Sequence, residues 1–151
     1  MASSVILKTR KDHEKRAVGF LVNSGFSFVN VADAFKGLSA EASDYFQASF
    51  DYFIDEHVFK HRYHGWKKSV ARGKYQYCFV FKYPPHRLYG FLCHPKEPTD
   101  RQFYACVLVL HAEKRTWLTD QEELKRVNKM REDEEVLKAI KWPWKEEKKK
   151  K

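Results

Sequence analysis

Tyr75-Gln76-Tyr77-Cys78-Phe79-Val80-Phe81-Lys82-Tyr83-Pro84-Pro85-His86-Arg87-Leu88-Tyr89-Gly90-Phe91-Leu92-Cys93 is the stretch whose reading decides the fold. Its first half alternates. Tyr75, Tyr77, Phe79 and Phe81 fall on one face and Gln76, Cys78 and Val80 on the other, the two-residue period of a strand. A strand from about Tyr75 to Lys82 is predicted. Pro84-Pro85 must end it, because neither residue can donate to a ladder. A second strand runs from Arg87 to Cys93, with Arg87, Tyr89 and Phe91 sharing a face. The short connection makes the two antiparallel neighbours.

Toward the C-terminus, the polar loop His94–Arg101 leads to Phe103–Leu110. This nearly continuous apolar run predicts a central strand buried on both faces. Thr119 and Glu122 form a capping box at the start of a charged helix. Leu124, Val127, Val136 and Ile140 supply its thin apolar seam, and Pro143 marks its end.

Toward the N-terminus, Phe59–Ser69 is dense in His, Arg, Lys and aromatic residues, and Arg72-Gly73-Lys74 reads as a turn. Before it, Phe46, Phe50, Phe53 and Ile54 repeat at i, i+4, i+7 and i+8, the stripe of an amphipathic helix. Ser39 suits its N-cap, with Glu41 in the first turn. Val31, Ala34 and Phe35 lie at helical spacing, with Gly37 as a stop. A helical hairpin from Asn30 to His57 is therefore predicted, its aromatics covering one face of the sheet. Ala17–Val22 is an apolar run of ambiguous period, and Val5–Lys8 suits an edge strand.

The expected fold class is α+β: a small antiparallel-rich sheet packed against an N-terminal helical hairpin, with a C-terminal helix. Residues 1–29 form an N-terminal extension or first strand, 30–142 the main domain, and 143–151 a basic tail.

At 151 residues, 43% hydrophobic and 16% aromatic, the chain can bury a core without disulfides or metal. Its net charge of +9 favours a polyanionic partner, although a solubility role explains a charge excess equally well. The five Lys and two Glu of Lys145–Lys151 account for only three of those charges. Cys78, Cys93 and Cys106 lack C-x-x-C spacing and read as buried hydrophobes in a reducing compartment. No apolar run approaches the ~20 residues of a membrane helix, and no signal peptide is visible, so a cytoplasmic location without membrane contact is expected. Nucleotide-binding glycine loops and the G-x-S-x-G elbow are missing, which removes support for those chemistries.

Cationic groups cluster near the strand ends: His64, Lys67 and Lys68 before the first strand, Lys82 and Arg87 about the proline turn, and His111, Lys114 and Arg115 after the third. In antiparallel neighbours these groups can converge on one rim. Aromatic strands with such ends suit an RNA-gripping surface. A metal set of His57, His61 and His64 has helical spacing, but Gly65 and the surrounding aromatics argue that the helix stops first, and no carboxylate or Cys completes it. No metal or cofactor is expected.

Three segments carry a family resemblance: His64-Gly65-Trp66-Lys67-Lys68, His86-Arg87-Leu88-Tyr89-Gly90-Phe91, and Val107-Leu108-Val109-Leu110-His111-Ala112-Glu113-Lys114-Arg115-Thr116. With the helix hairpin before them and a helix after, they resemble the RelE/ParE toxin superfamily, nearest its HigB and phage Gp49-like branch, over about residues 30–132. The resemblance implies a toxin that cleaves mRNA on the ribosome, or a relative that poisons gyrase, neutralised by a small antitoxin of helix-turn-helix type. Carried over residue by residue, it implies His64 as the catalytic His, Lys67 as its neighbour and Arg87 near the scissile phosphate. Lys82 falls where some members have another Arg, and Lys114 and Arg115 on the basic turn that closes the site. The chain departs from the pattern in its N-terminal extension, in Cys78 and Val80 at the paired-lysine positions, and in having no clear match to the catalytic Tyr or His at the C-terminal end.

Metal-free RNA cleavage needs a base for the 2′-hydroxyl, an acid for the leaving oxygen, and cations for the phosphorane. His64 suits the role of base or acid, because an imidazole ordinarily changes charge close to neutral pH. Arg87 can form bidentate bonds to phosphate. Lys67, Lys68, Lys82, Lys114 and Arg115 can hold flanking phosphates, and Trp66 or Tyr89 can stack on a base. The plainer readings are a surface histidine at 64, an arginine at 87 paired to a carboxylate, a capped strand-end histidine at 111, and solvated Lys114 and Arg115. A non-enzymatic RNA binder or a basic protein-interaction module remains open beside the nuclease.

Overall fold

The computed structural model describes residues 3–9, 15–94, 104–113 and 121–140. Lys114, Arg115, Thr119, Pro143 and the lysine-rich tail lie outside the described residues.

Ser39 caps the long helix as its position suggests: its hydroxyl accepts from the Ala42 N–H at 3.1 Å. That helix, α2 (Ala40–Ile54), follows the short α1 (Val31–Lys36). Phe46, Phe50, Phe53 and Ile54 are all buried, so the predicted stripe is the buried face. Its aromatics meet the sheet edge-on, with the Phe50 and Phe81 ring centroids 4.9 Å apart.

The strands are β1 (Ser4–Thr9), β2 (Arg16–Val22), β3 (Tyr63–Gly65), β4 (Cys78–Tyr83), β5 (His86–Cys93) and β6 (Tyr104–Glu113). They form one six-stranded sheet in the order β1-β2-β6-β5-β4-β3. Every neighbouring pair is antiparallel except β2 and β6, which makes the sheet mixed and larger than anticipated. The N-terminal residues are part of it: β1 is an edge strand, as expected, and Ala17–Val22 resolves as the body of β2.

Alternation sends the two faces to different partners. Phe79, Phe81, Leu88, Cys106 and Leu108 pack with α1 and α2. Cys78, Val80, Tyr89, Phe91 and Val107 pack on the other side, beneath α3 (Gln121–Glu132) and α4 (residues 134–140). Asp133 caps α4, its carboxylate accepting from the Glu135 and Val136 N–H groups at 3.0 and 3.2 Å. Among the described residues no helix is long and apolar enough to cross a membrane. The three thiols are free, and burial pushes those of Cys78 and Cys93 up to about 12 and that of Cys106 well above its usual value.

Two strand boundaries differ from the sequence reading. β4 starts at Cys78, not Tyr75. Arg72 and Gly73 take positive φ values of 57° and 79°, winding the chain into successive turns that reach Tyr77. Tyr75 is therefore buried in the α3-side core while Tyr77 is 47% exposed, so neither shares the Phe79–Phe81 face. β6 runs on to Glu113 rather than stopping at Leu110. Its pairing with β2 ends at Leu108, and the Asn30 side chain takes over at His111. Asn30 Oδ1 accepts from the His111 N–H at 2.7 Å, and Asn30 Nδ2 donates to the His111 carbonyl at 3.4 Å. One amide thus replaces a missing strand neighbour.

Opposite β5, β6 carries an extra residue: Tyr89 faces Leu110 and Gly90 faces Leu108, leaving Val109 as a bulge. Gly90 is the residue this geometry requires. A Cβ there would lie 2.2 Å from the Val107 carbonyl oxygen.

Candidate functional site

The register decides which cations meet. β4 and β5 pair Lys82 with Arg87 and Val80 with Tyr89 across the Pro84-Pro85 connection, and β3 places His64 opposite Val80. Paired residues share a face, so His64, Lys82 and Arg87 surround Val80 and Tyr89 on the α3 side of the sheet. His64 and Tyr89, flanking Val80, have Cα atoms roughly 10 Å apart, and Lys82 and Arg87 lie roughly 7 Å further toward the hairpin end. Val80 and Tyr89 are buried, while the three polar side chains above them are partly exposed. The result is a group of basic side chains at the margin of the core that α3 and α4 cover.

Each side chain has a definite setting. His64 Nδ1 lies 3.0 Å from the Gly65 carbonyl, which can only accept. With that bond, a neutral ring would carry its proton on Nδ1 and its lone pair on Nε2, the form a general base needs. The Trp66 ring packs beside it, 4.9 Å between centroids, and rests on the core. Lys82 Nζ donates to the Lys60 carbonyl at 3.0 Å. Arg87 Nη1 is 3.5 Å from the Tyr89 hydroxyl.

Not every proposed residue joins this group. Lys67 and Lys68 are exposed and follow β3 into the β3–β4 connection. Because β3 is antiparallel to β4, that connection lies at the opposite end of the strands from the Lys82–Arg87 hairpin. The expected convergence of three basic groups on one rim is corrected to His64, Lys82 and Arg87 alone among the described residues. Tyr89 is 0% exposed, so its ring offers no face for a base. Lys114 and Arg115 lie outside the described residues. They follow Glu113, which pairs with His86 at the hairpin end.

Arg62, within the basic segment before β3, is a structural clamp. Its Nε donates to the Ser49 hydroxyl at 2.8 Å and its Nη2 to the Tyr45 carbonyl at 3.0 Å, with the guanidinium 3.7 Å over the Tyr45 ring. His57, His61 and His64 do not form a metal set. α2 ends at Ile54, and the rings of His57 and His61 each pack against Phe59 instead.

A second cluster occupies the opposite face of the same hairpin end and went unseen in the sequence. His86 Nδ1 is 2.9 Å from His111 Nε2 and 3.8 Å from Glu113 Oε1. Burial, helped by the neighbouring His86, lowers the His111 pKa below its usual value, against the opposing pull of Glu113. The available signal was His111-x-Glu113, which puts both side chains on one face of a strand. His86 meets them only through the register.

Comparison with known proteins yields no match to a protein-family model, a curated protein or a solved structure.

Proposed function

We propose that the face bearing His64, Lys82 and Arg87 contacts RNA, and that the chain is a toxin of the RelE/ParE kind: an mRNA endoribonuclease acting on the ribosome, held in check by a small antitoxin. The observation that carries this reading is the grouping of an imidazole, an ammonium and a guanidinium from three strands over Val80. The order of elements from α1 onward supports it too, with two helices ahead of the antiparallel strands β3 to β6 and helices after them, although β1 and β2 come first.

In the proposed reaction, His64 Nε2 takes the proton of a 2′-hydroxyl and the 2′-oxygen bonds to phosphorus. The bond to the 5′-oxygen breaks, and that oxygen takes a proton from water, leaving a 2′,3′-cyclic phosphate and a 5′-hydroxyl. Arg87 stabilises the charge that develops on the phosphoryl oxygens. Lys82 holds a flanking phosphate. Lys67 has no role in this scheme, because it sits at the other end of β3.

A second reading, an RNA binder without cleavage on the same surface, is favoured by Lys82 and Arg87, whose cations can hold phosphates without any proton transfer. Primer extension on cellular mRNA after induction separates the two. New 5′ ends that vanish in His64→Ala support the nuclease; intact messages, with RNA binding lost in Arg87→Ala, support the binder. Growth arrest and RNA affinity unchanged in both variants would refute this site altogether.

A further inference from the structure

We propose that His86, His111 and Glu113 form a binding site for one divalent transition-metal ion, with zinc the best-suited occupant. The three ligand atoms lie within 4.8 Å of one another, His86 Nδ1 and His111 Nε2 at 2.9 Å and His86 Nδ1 and Glu113 Oε1 at 3.8 Å. A tetrahedral ion with bonds of about 2.0–2.2 Å holds its ligand atoms roughly 3.3–3.5 Å apart. The cluster already brackets that spacing, so side-chain adjustments of about 1 Å seat the ion.

The donor set selects the metal. Two imidazoles and one carboxylate suit zinc and its first-row neighbours, whereas magnesium and calcium call for oxygen ligands throughout. Three protein ligands leave a fourth position for water or another molecule, as in zinc sites that are not purely structural. The two facing ring nitrogens already sit at hydrogen-bond distance from each other. A metal-bound imidazole carries its proton on the nitrogen away from the ion.

The site is built into the sheet. His86 lies directly opposite Glu113, and His111 sits one step along the same face of β6. The two Asn30 bonds hold the His111 backbone where β2 no longer reaches it. The side chains of His86 and Glu113 are 21% and 52% exposed, which leaves the ion a way in from solvent. The site faces away from the His64 surface, and the proposal does not rest on the RNA reading.

The test is calorimetric titration of the chelator-stripped full chain with zinc chloride. One ion per chain is expected. Loss of a ligand's hydrogen-bonded supporting partner typically costs 10–100-fold in metal affinity, so Glu113→Gln and His111→Ala, which remove direct ligands, are each expected to lose about 100-fold or more. The half-exposed Glu113→Gln change should leave the circular dichroism spectrum unaltered, separating ligand loss from unfolding. A His57→Ala/His61→Ala control should bind as the parent does. The proposal fails if no stoichiometric binding is seen, if Glu113→Gln and His111→Ala bind like the parent, or if the control alone abolishes binding.

Discussion

His86 and Arg87 are consecutive residues whose side chains serve opposite faces of the sheet. Arg87 joins Lys82 and His64 around the buried Val80 and Tyr89 on the α3 side. His86 joins His111 and Glu113 on the α2 side. One face collects the fixed positive charges of Lys82 and Arg87 beside the His64 imidazole. The other collects imidazoles, one of them biased toward neutrality, beside a carboxylate. The difference teaches that a hairpin end can present two unlike sets of side chains, because the two-residue period separates neighbours in sequence more cleanly than distance does.

The strongest way to break this comparison is Gly90→Ala. Its Cβ would press on the β6 main chain at Val107, which cannot move aside as a side chain can. A loss at the upper end of ~1–3 kcal/mol is expected, read as a lower midpoint in urea unfolding. The His86–His111–Glu113 site should weaken with it, because that site depends on the β5–β6 register, whereas the His64 face rests on the β3–β4 and β4–β5 pairings. A variant as stable as the parent would show that the bulge does not set that register.

A cross-comparison of single-face variants comes next. Arg87→Ala should lower RNA affinity by about ten- to a hundredfold, the size of a lost charge-assisted hydrogen bond, and leave zinc binding intact. Glu113→Gln should do the reverse. Filter binding and calorimetry on both proteins check this, and a variant that damages both activities equally would mean that the faces are coupled. Arg87→Ala should also reduce the slope of log affinity against log salt by about 1.

Smaller still, Ser39→Ala should cost about 1 kcal/mol by removing the cap of α2, without altering either site. The smallest effect is expected from Lys67→Ala, which should leave RNA cleavage and the salt slope near those of the parent. A large loss of cleavage there would restore Lys67 to the site and overturn the assignment of the active surface to the Lys82–Arg87 end.

Much of the architecture was legible in the residues. The period of Phe46, Phe50, Phe53 and Ile54 placed a helix and its buried face correctly, and Ser39 marked where it begins. The proline pair separated two antiparallel strands. The parallel neighbour of β6 was not legible, because Ala17–Val22 pairs with residues far along the chain and its apolar run has no telling period. The reach of β6 to Glu113 escaped notice for a similar reason: it depends on an asparagine side chain at position 30. Of the candidate site, His64, Lys82 and Arg87 were named on resemblance and residue type. Their company with one another, and the departure of Lys67, followed only from the direction of β3.

By itself the sequence determined what each short segment prefers. A 3.6-residue apolar stripe makes a helix with one buried face, alternation makes a strand with two, and a proline pair ends a ladder, all through interactions within a few residues. Tertiary structure alone decided which strand faces which, and in what register. That choice rests on a bulge at Val109, a glycine without a side chain at 90, and an amide that stands in for a strand at 30. His86 and His111, 25 residues apart in the chain, touch because of it.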